Sequence, residues 1–326
     1  MKIKTLYKAI PFLILIGALL IAFTFFYPQN TQKNKRKIIY VSKVLDYNSD
    51  FWMQLLEGAN TASETYDIDF ESVAPSQESD YERQNELIDW AIKQHPDAII
   101  LTPSQYTDSL AMSQKIVDQG IPLILVDSML EKDIAQGCIS TDNEKAGARQ
   151  GAYIKEHFDA SASIAVIAHE EQTSTSIERV KGLKKELQSN GEEIKAIAYT
   201  TSDYTAAKEK TLEVLRQHPD ITVLVATNEH TTVGAATAIQ ELHLQDKVFL
   251  IGFDSSNREI QLMEEGILKA TVIQKAFKMG YYAIENTVKM LNGEPYLPHM
   301  DSGSILITQE DLYDVNMQKL LFPFQQ

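Results

Sequence analysis

The chain has 326 residues, 30 basic against 45 acidic, a net charge of −15 and one cysteine, Cys138. A lone cysteine excludes an internal disulfide framework and a thiolate metal cluster, and the acidic balance repels phosphate backbones, which argues against a nucleic-acid partner. Seven of the basic residues and none of the acidic ones fall in the first 37, so the remainder carries the whole acidic excess. That suits a soluble module facing anionic envelope polymers, and its length predicts two domains rather than one core.

The N-terminus reads in three pieces. Residues 1–8 form a basic stub with Lys2, Lys4 and Lys8, and 9–27 carry no charged side chain. At about 1.5 Å rise per residue that apolar run spans roughly 28 Å, close to the thickness of a bilayer core. The lysines favour a cytoplasmic stub, which predicts a single-pass transmembrane helix in the cell membrane with everything after Tyr27 extracellular. A cleaved secretory signal is the alternative, but it calls for a shorter apolar core and a small-residue cleavage site. Here the run exits through Phe25, Phe26, Tyr27 and Pro28, and no lipobox cysteine follows. Residues 28–37 are a polar linker whose Lys33, Lys35, Arg36 and Lys37 weaken the charge bias.

Beyond the linker, short apolar runs alternate with longer amphipathic ones. The runs are IIYV (38–41), AIIL (98–101), PLILV (122–126), ASIAVIA (162–168), IKAIAY (194–199), ITVLVA (221–226) and KVFLIGF (247–253). Buried strands alternating with helices predict an α/β fold with parallel βαβ layers covered on both faces. Gln94-His95-Pro96-Asp97 before AIIL is echoed by Gln217-His218-Pro219-Asp220 before ITVLVA. The echo marks either an internal repeat or simply a good helix-to-strand connection.

Polar residues collect where strand runs end: Ser42, Thr102, Asp127, Asn228 and Asp254. In an open parallel sheet those ends line one edge, and ligands bind in the crevice outside it. Each could instead cap the following helix, but five in register with the alternation point to a site. Ionised carboxylates accept hydroxyl protons, so the set suits an uncharged polyol. Phe51 and Trp52, at the start of the first long helix, offer aromatic faces for the C–H face of a sugar ring.

In family order, Ser42 with Phe51-Trp52, ILTPS around Thr102, LVDS around Asp127, TSIERVKGL with Arg179 and Gly182, SDY with Tyr204, TNE with Asn228, IGFD with Asp254 and LKATVIQ with Gln274 resemble the ribose-type periplasmic sugar-binding proteins. The resemblance runs from about Lys37 to Thr308. It implies two doubly wound parallel-sheet lobes joined by a three-strand hinge, one lobe from 38–140 and 275–301, the other from 141–274 and 302–326. It further implies that Asp127 and Asp254 accept sugar hydroxyls, that Arg179, Asn228 and Gln274 donate, and that Phe51, Trp52 and Tyr204 sandwich the ring. The chain departs from the pattern at Thr102, where ribose receptors usually have Asn, and at Ser128, where they usually have Arg. Losing that Arg removes a fork of donors; a different pentose, a hexose or another small polyol is compatible.

The expected action is domain closure on ligand, with no cofactor and no metal. Its output is either delivery to an ABC permease or docking on a membrane sensor histidine kinase, and permanent tethering favours the kinase. A lac-repressor-like regulatory core shares the implied fold, but it would carry a helix-turn-helix where 9–27 stands. An enzyme is disfavoured: there is no glycine-rich phosphate loop, no G-x-S-x-G and no H-E-x-x-H. Only Asp127 and Asp254, as a glycosidase carboxylate pair, would support one.

Overall fold

A computed structural model describes residues 35–47, 49–159, 161–188 and 193–321, and residues 36–326 form a compact unit of their own. The predicted membrane-spanning segment, 9–27, lies outside the described residues. Among the described residues no helix is long and apolar enough to cross a membrane.

Two six-stranded sheets organise the unit. The first has the order β11-β5-β4-β3-β1-β2, with β1 at Lys37–Val41, β2 at Asp69–Val73, β3 at Ala98–Leu101, β4 at Leu123–Val126, β5 at Gly137–Ser140 and β11 at His299–Asp301. The second has the order β12-β10-β9-β8-β6-β7, with β6 at Ile164–Ala168, β7 at Ile194–Tyr199, β8 at Val223–Ala226, β9 at Phe249–Phe253, β10 at Leu268–Gln274 and β12 at Ser304–Thr308. Every pairing is parallel except that of β12 with β10. The strand orders superpose term by term, and the two Gln-His-Pro-Asp motifs precede the equivalent strands β3 and β8. Three crossings join the lobes: β5 to the helix Asn143–His157, β10 to the helix Ala276–Leu291, and β11 to β12.

The inner strands form because their side chains are apolar on both faces. Ile38, Tyr40, Ile100, Ile124 and Val126 face the helices Asp50–Thr65 (α1) and Ala276–Leu291 (α9). Ile39, Val41, Ile99, Leu101, Leu123 and Leu125 face the helices Tyr81–Lys93 (α2) and Leu110–Asp118 (α3). The second sheet repeats this division. Val166, Val225 and Ile251 pack under Asn143–His157 (α4) and Ser174–Gln188 (α5), while Ile167, Leu224 and Leu250 pack under Tyr204–Gln217 (α6), Glu229–Glu241 (α7) and Asn257–Glu264 (α8). Such double coverage is the burial pattern that sustains parallel strands. Helix starts are fixed chemically: Asp80, Asp142, Asp203, Asn228 and Ser256 each accept a backbone N–H from the first turn.

One packing detail positions the site. Helices α4 and α5 touch so closely that a Cβ on Gly147 would lie 2.0 Å from the Arg179 carbonyl oxygen, and one on Gly182 would lie 1.8 Å from that of Glu144. The crossing fixes the backbone that carries Arg179, and any larger side chain there would force the helices apart.

Candidate functional site

The equivalent strands β4 and β9 end in equivalent residues, Asp127 and Asp254. Both sit in the left-handed region, at φ +66° and +80°, which side chains with a Cβ visit sparsely and Asp tolerates better than most. Their backbone N–H groups bond Ile139 and Val272 on the neighbouring strands at 2.9 and 2.8 Å. Each lobe thus ends a buried strand in a carboxylate at the same sheet edge. Phe51 and Trp52 from α1, Arg179 from α5, Asn228 before α7 and Gln274 at the end of β10 join them around one hollow between the lobes.

On the second lobe the groups are held by one another. The Arg179 guanidinium is 3% exposed; its Nε donates to Asn143 Oδ1 at 2.8 Å, its Nη1 to the Thr227 carbonyl at 2.7 Å, and it lies 3.7 Å over the Phe253 ring. Among the described residues those bonds use two of its five N–H donors. Burial draws its pKa down, and the charges of Asp254 and Asp127 oppose that. Asp254 accepts from Gln274 Nε2 at 2.8 Å and from the Glu229 backbone N–H at 3.0 Å. Burial raises its pKa while Arg179 pulls it back. Asn228 fills two roles: its Oδ1 caps α7 by accepting from Thr231 N, and its Nδ2 donates to Ser202 Oγ.

This network reaches the hinge. Gln274 Oε1 accepts from Thr141 Oγ1 at 2.8 Å, and Thr141 Oγ1 lies 3.4 Å from Ser302 Oγ. Thr141, Gln274 and Ser302 belong to the three crossings, so the carboxylate that faces the hollow is hydrogen-bonded through to each connection between the lobes.

The first lobe contributes an unforeseen cation. Lys43, 3% exposed, places Nζ 3.4 Å from Asp127 Oδ2, 3.7 Å from Glu78 Oε2 and 3.5 Å from Ser128 Oγ, with the Trp52 ring centroid 5.3 Å away. Burial opposes its charge, but Glu78 and Asp127 more than compensate, and its pKa ends above the ordinary lysine value. The ammonium therefore supplies charge beside Ser128, the position at which the expected arginine is missing.

Across the hollow the lobes are latched. Ser49 Oγ donates to Glu229 Oε2 at 2.7 Å, His230 Nε2 lies 3.2 Å from Asp46 Oδ2, and the Asn257 backbone N–H donates to Asp50 at 2.8 Å. The hollow that remains is about 30 Å³, little more than the room of one water and far below the roughly 300–1,000 Å³ of ordinary ligand pockets. In this closed arrangement the polar groups of the two lobes bond one another.

Seven of the eleven residues singled out in the sequence line the hollow: Phe51, Trp52, Asp127, Arg179, Asn228, Asp254 and Gln274. The structure places the other four off its wall. Ser42 and Thr102 are buried beneath it, where Ser42 Oγ lies 3.1 Å and Thr102 Oγ1 2.8 Å from the Tyr40 hydroxyl, because their side chains turn back along the strands. Ser128 donates to Asp127 at 2.7 Å and supports it from behind. Tyr204 leans on His230, ring centroids 4.4 Å apart, and donates to Glu229 Oε1 at 2.7 Å; it faces the outer mouth of the cleft. Sequence reasoning missed Lys43, Ser49, Glu78, His169, Thr175, Glu229 and His230, which complete the lining.

Glu229 makes the site pH-sensitive. Burial drives its pKa up to about 7, against the pull of the Ser49 and Tyr204 hydroxyls. Its folded value thus exceeds the unfolded one, near 4.3. The folded chain keeps a proton that the unfolded chain has lost, so this group's contribution to stability falls as pH rises from about 5 to about 7 and is flat above. The Glu229→Gln protein should lack that limb, its melting temperature converging on or overtaking that of the wild type by a few degrees at pH 8. Differential scanning fluorimetry at pH 5, 6, 7 and 8 measures it. The difference curve cancels the opposite limb from His169, which burial holds neutral; parallel curves would refute the assignment.

A family model described as a periplasmic binding protein domain matches residues 39–295. Among curated proteins, the chain is 22% identical over 286 residues to a D-ribose/D-allose-binding protein of Pseudomonas aeruginosa, covering 85% of this chain and 88% of that one. It is 24% identical over 288 residues to the ribose import binding protein of Bacillus subtilis, covering 87% and 91%. A crystal structure described as a sugar transporter from Clostridium phytofermentans is 41% identical, with a TM-score of 0.80 over 84% of this chain and 99% of the other.

Proposed function

The chain belongs to the periplasmic binding protein domain family, and from that premise we propose that its cleft closes on a small neutral sugar, a pentose- or hexose-like ring. One observation carries this reading: Asp127, Arg179, Asn228, Asp254 and Gln274, spread over 148 positions, converge with Phe51 and Trp52 on a single hollow between two hinged lobes. Carboxylate acceptors, guanidinium and amide donors and an aromatic edge are what a ring with polar rim and apolar face requires. The names of the ribose and allose relatives support the same ligand class. Closure follows from contacts complete only when both lobes engage the guest.

In this reading 9–27 anchors the chain, the binding unit is extracellular, and the closed form acts on a membrane partner. That partner is an ABC sugar permease or a sensor histidine kinase. Permanent tethering and the want of a lipobox cysteine favour the kinase. The test is a thermal-shift panel of pentoses, hexoses and polyols on the full-length chain. At least one sugar should raise the melting temperature by several degrees, and Asp254→Ala should abolish the rise. Indifference to the whole panel would overturn the sugar reading.

A further inference from the structure

Closing the lobes leaves the inner hollow nearly filled, but it does not close what lies outside. A second chamber of about 440 Å³ adjoins the hollow, sharing Glu78 and His230 with it as common wall. Ser76, Gln77 and Ser79 line it from the first lobe, and Glu170, Thr201 and Ser202 from the second. The lobes are already joined beside it, since Ser202 Oγ donates to Glu78 Oε2 at 3.1 Å. The space therefore belongs to the closed form and is not a gap that closure would remove.

Resting on the proposed sugar reading, we infer that this chamber is a second subsite, and that the ligand is a disaccharide or glycoside whose second, hydroxylated unit occupies it. Three observations lead there. The volume, about 440 Å³ against about 30 Å³ for the inner hollow, falls in the range of ordinary small-ligand pockets. The lining is hydroxyl, amide and carboxylate, groups that exchange hydrogen bonds with a polyol in both directions. Its apolar surface comes from Val44, Tyr204 and His230, the two rings leaning on each other at 4.4 Å, and such a patch suits the C–H face of a sugar unit. Third, the Glu170 carboxylate stands in the chamber wall, where its Oε2 takes the Tyr81 hydroxyl from the other lobe at 3.3 Å. A carboxylate accepts several hydrogen bonds, and a ligand hydroxyl in the chamber can donate to it.

Isothermal titration of the full-length chain with xylose, glucose and galactose, and with xylobiose, cellobiose, maltose, lactose and melibiose, tests this. At least one disaccharide should bind tenfold or more tightly than either of its units. Thr201→Trp, at an exposed position of the chamber, should remove that gain and leave the monosaccharide Kd within about twofold. Ser76→Trp, filling the chamber from the other lobe, should do the same. Monosaccharides that bind while every disaccharide binds more weakly would overturn the inference and leave the sugar reading intact, as would a disaccharide gain that survives both substitutions. No binding by any sugar would overturn both.

Discussion

Replacing Arg179 by methionine is expected to weaken sugar binding at least about 100-fold and to erase ligand-induced thermal stabilisation. A 100-fold loss corresponds to about 2.7 kcal/mol, within what removal of one buried charged hydrogen-bonding partner costs. Two effects add. Among the described residues the hollow loses its only guanidinium donors, and Asp254 loses the cation that opposes the upward pull of burial on its pKa. The Asp254 pKa, already raised by burial, should climb further, so residual binding in the variant should depend more steeply on pH. Methionine keeps the packing against Phe253 but orphans Asn143 Oδ1 and the Thr227 carbonyl, so the second lobe should also melt some degrees lower. Arg179→Lys separates charge from geometry: it retains the cation and loses the planar fork and the ring stacking. It should recover part of the stability and little of the affinity. Titration calorimetry well below the melting transition measures both; an affinity within threefold of wild type for either variant would remove Arg179 from the site.

Much of this architecture could be read from residues alone, and the reasons differ by element. Strands β1, β3, β4, β6, β8 and β9 are legible as apolar runs because both faces of an inner parallel strand are covered, whereas β7, at the edge of its sheet and only partly buried, is legible because Ile-Lys-Ala-Ile-Ala-Tyr keeps an apolar composition. Strand β2, Asp-Phe-Glu-Ser-Val, is not: it sits at the sheet edge, half-exposed throughout, and carries no apolar periodicity to detect. Strand ends are informative because chain direction fixes them at one edge, which places Asp127 and Asp254 in equivalent positions from the sequence alone. Side-chain direction past a strand end is another matter. Ser42 and Lys43 are adjacent, yet one turns down to Tyr40 and the other fills the cleft, a choice made by the connection to α1 rather than by either residue. Glu78 lies in the loop after the edge strand that pattern analysis could not see. Glu229 and His230 follow Asn228 directly, and a first helical turn pointing at the strand-end edge was the available signal for both.

Lys43 yields the sharpest test of how the closed cleft is held. Its ammonium lies between Glu78 and Asp127, both nine-tenths buried or more, and carboxylates in such a position need either a cation or a proton. Lys43→Met should therefore destabilise the protein by about 3 kcal/mol at neutral pH, the cost of orphaning a buried charge, lowering the melting temperature by roughly 5–10 °C. The defect should shrink as pH falls from 7 to 5, because the variant leaves buried negative charge without its cation, and acid relieves uncompensated buried negative charge. A simple packing defect has no such pH dependence, and methionine fills nearly the same volume beneath Trp52. The same substitution bears on recognition. If Lys43 supplies the charge that Ser128 does not, the variant should lose affinity about tenfold, and Lys43→Met/Ser128→Arg should regain part of it by restoring a cation beside Asp127 from the other side. Melting curves from pH 5 to 8 that run parallel for Lys43→Met and wild type, together with an unchanged sugar Kd, would show the lysine to be a bystander and the latch to reside in the direct bonds between the lobes, Ser49–Glu229, Asp46–His230 and Asp50–Asn257 among them.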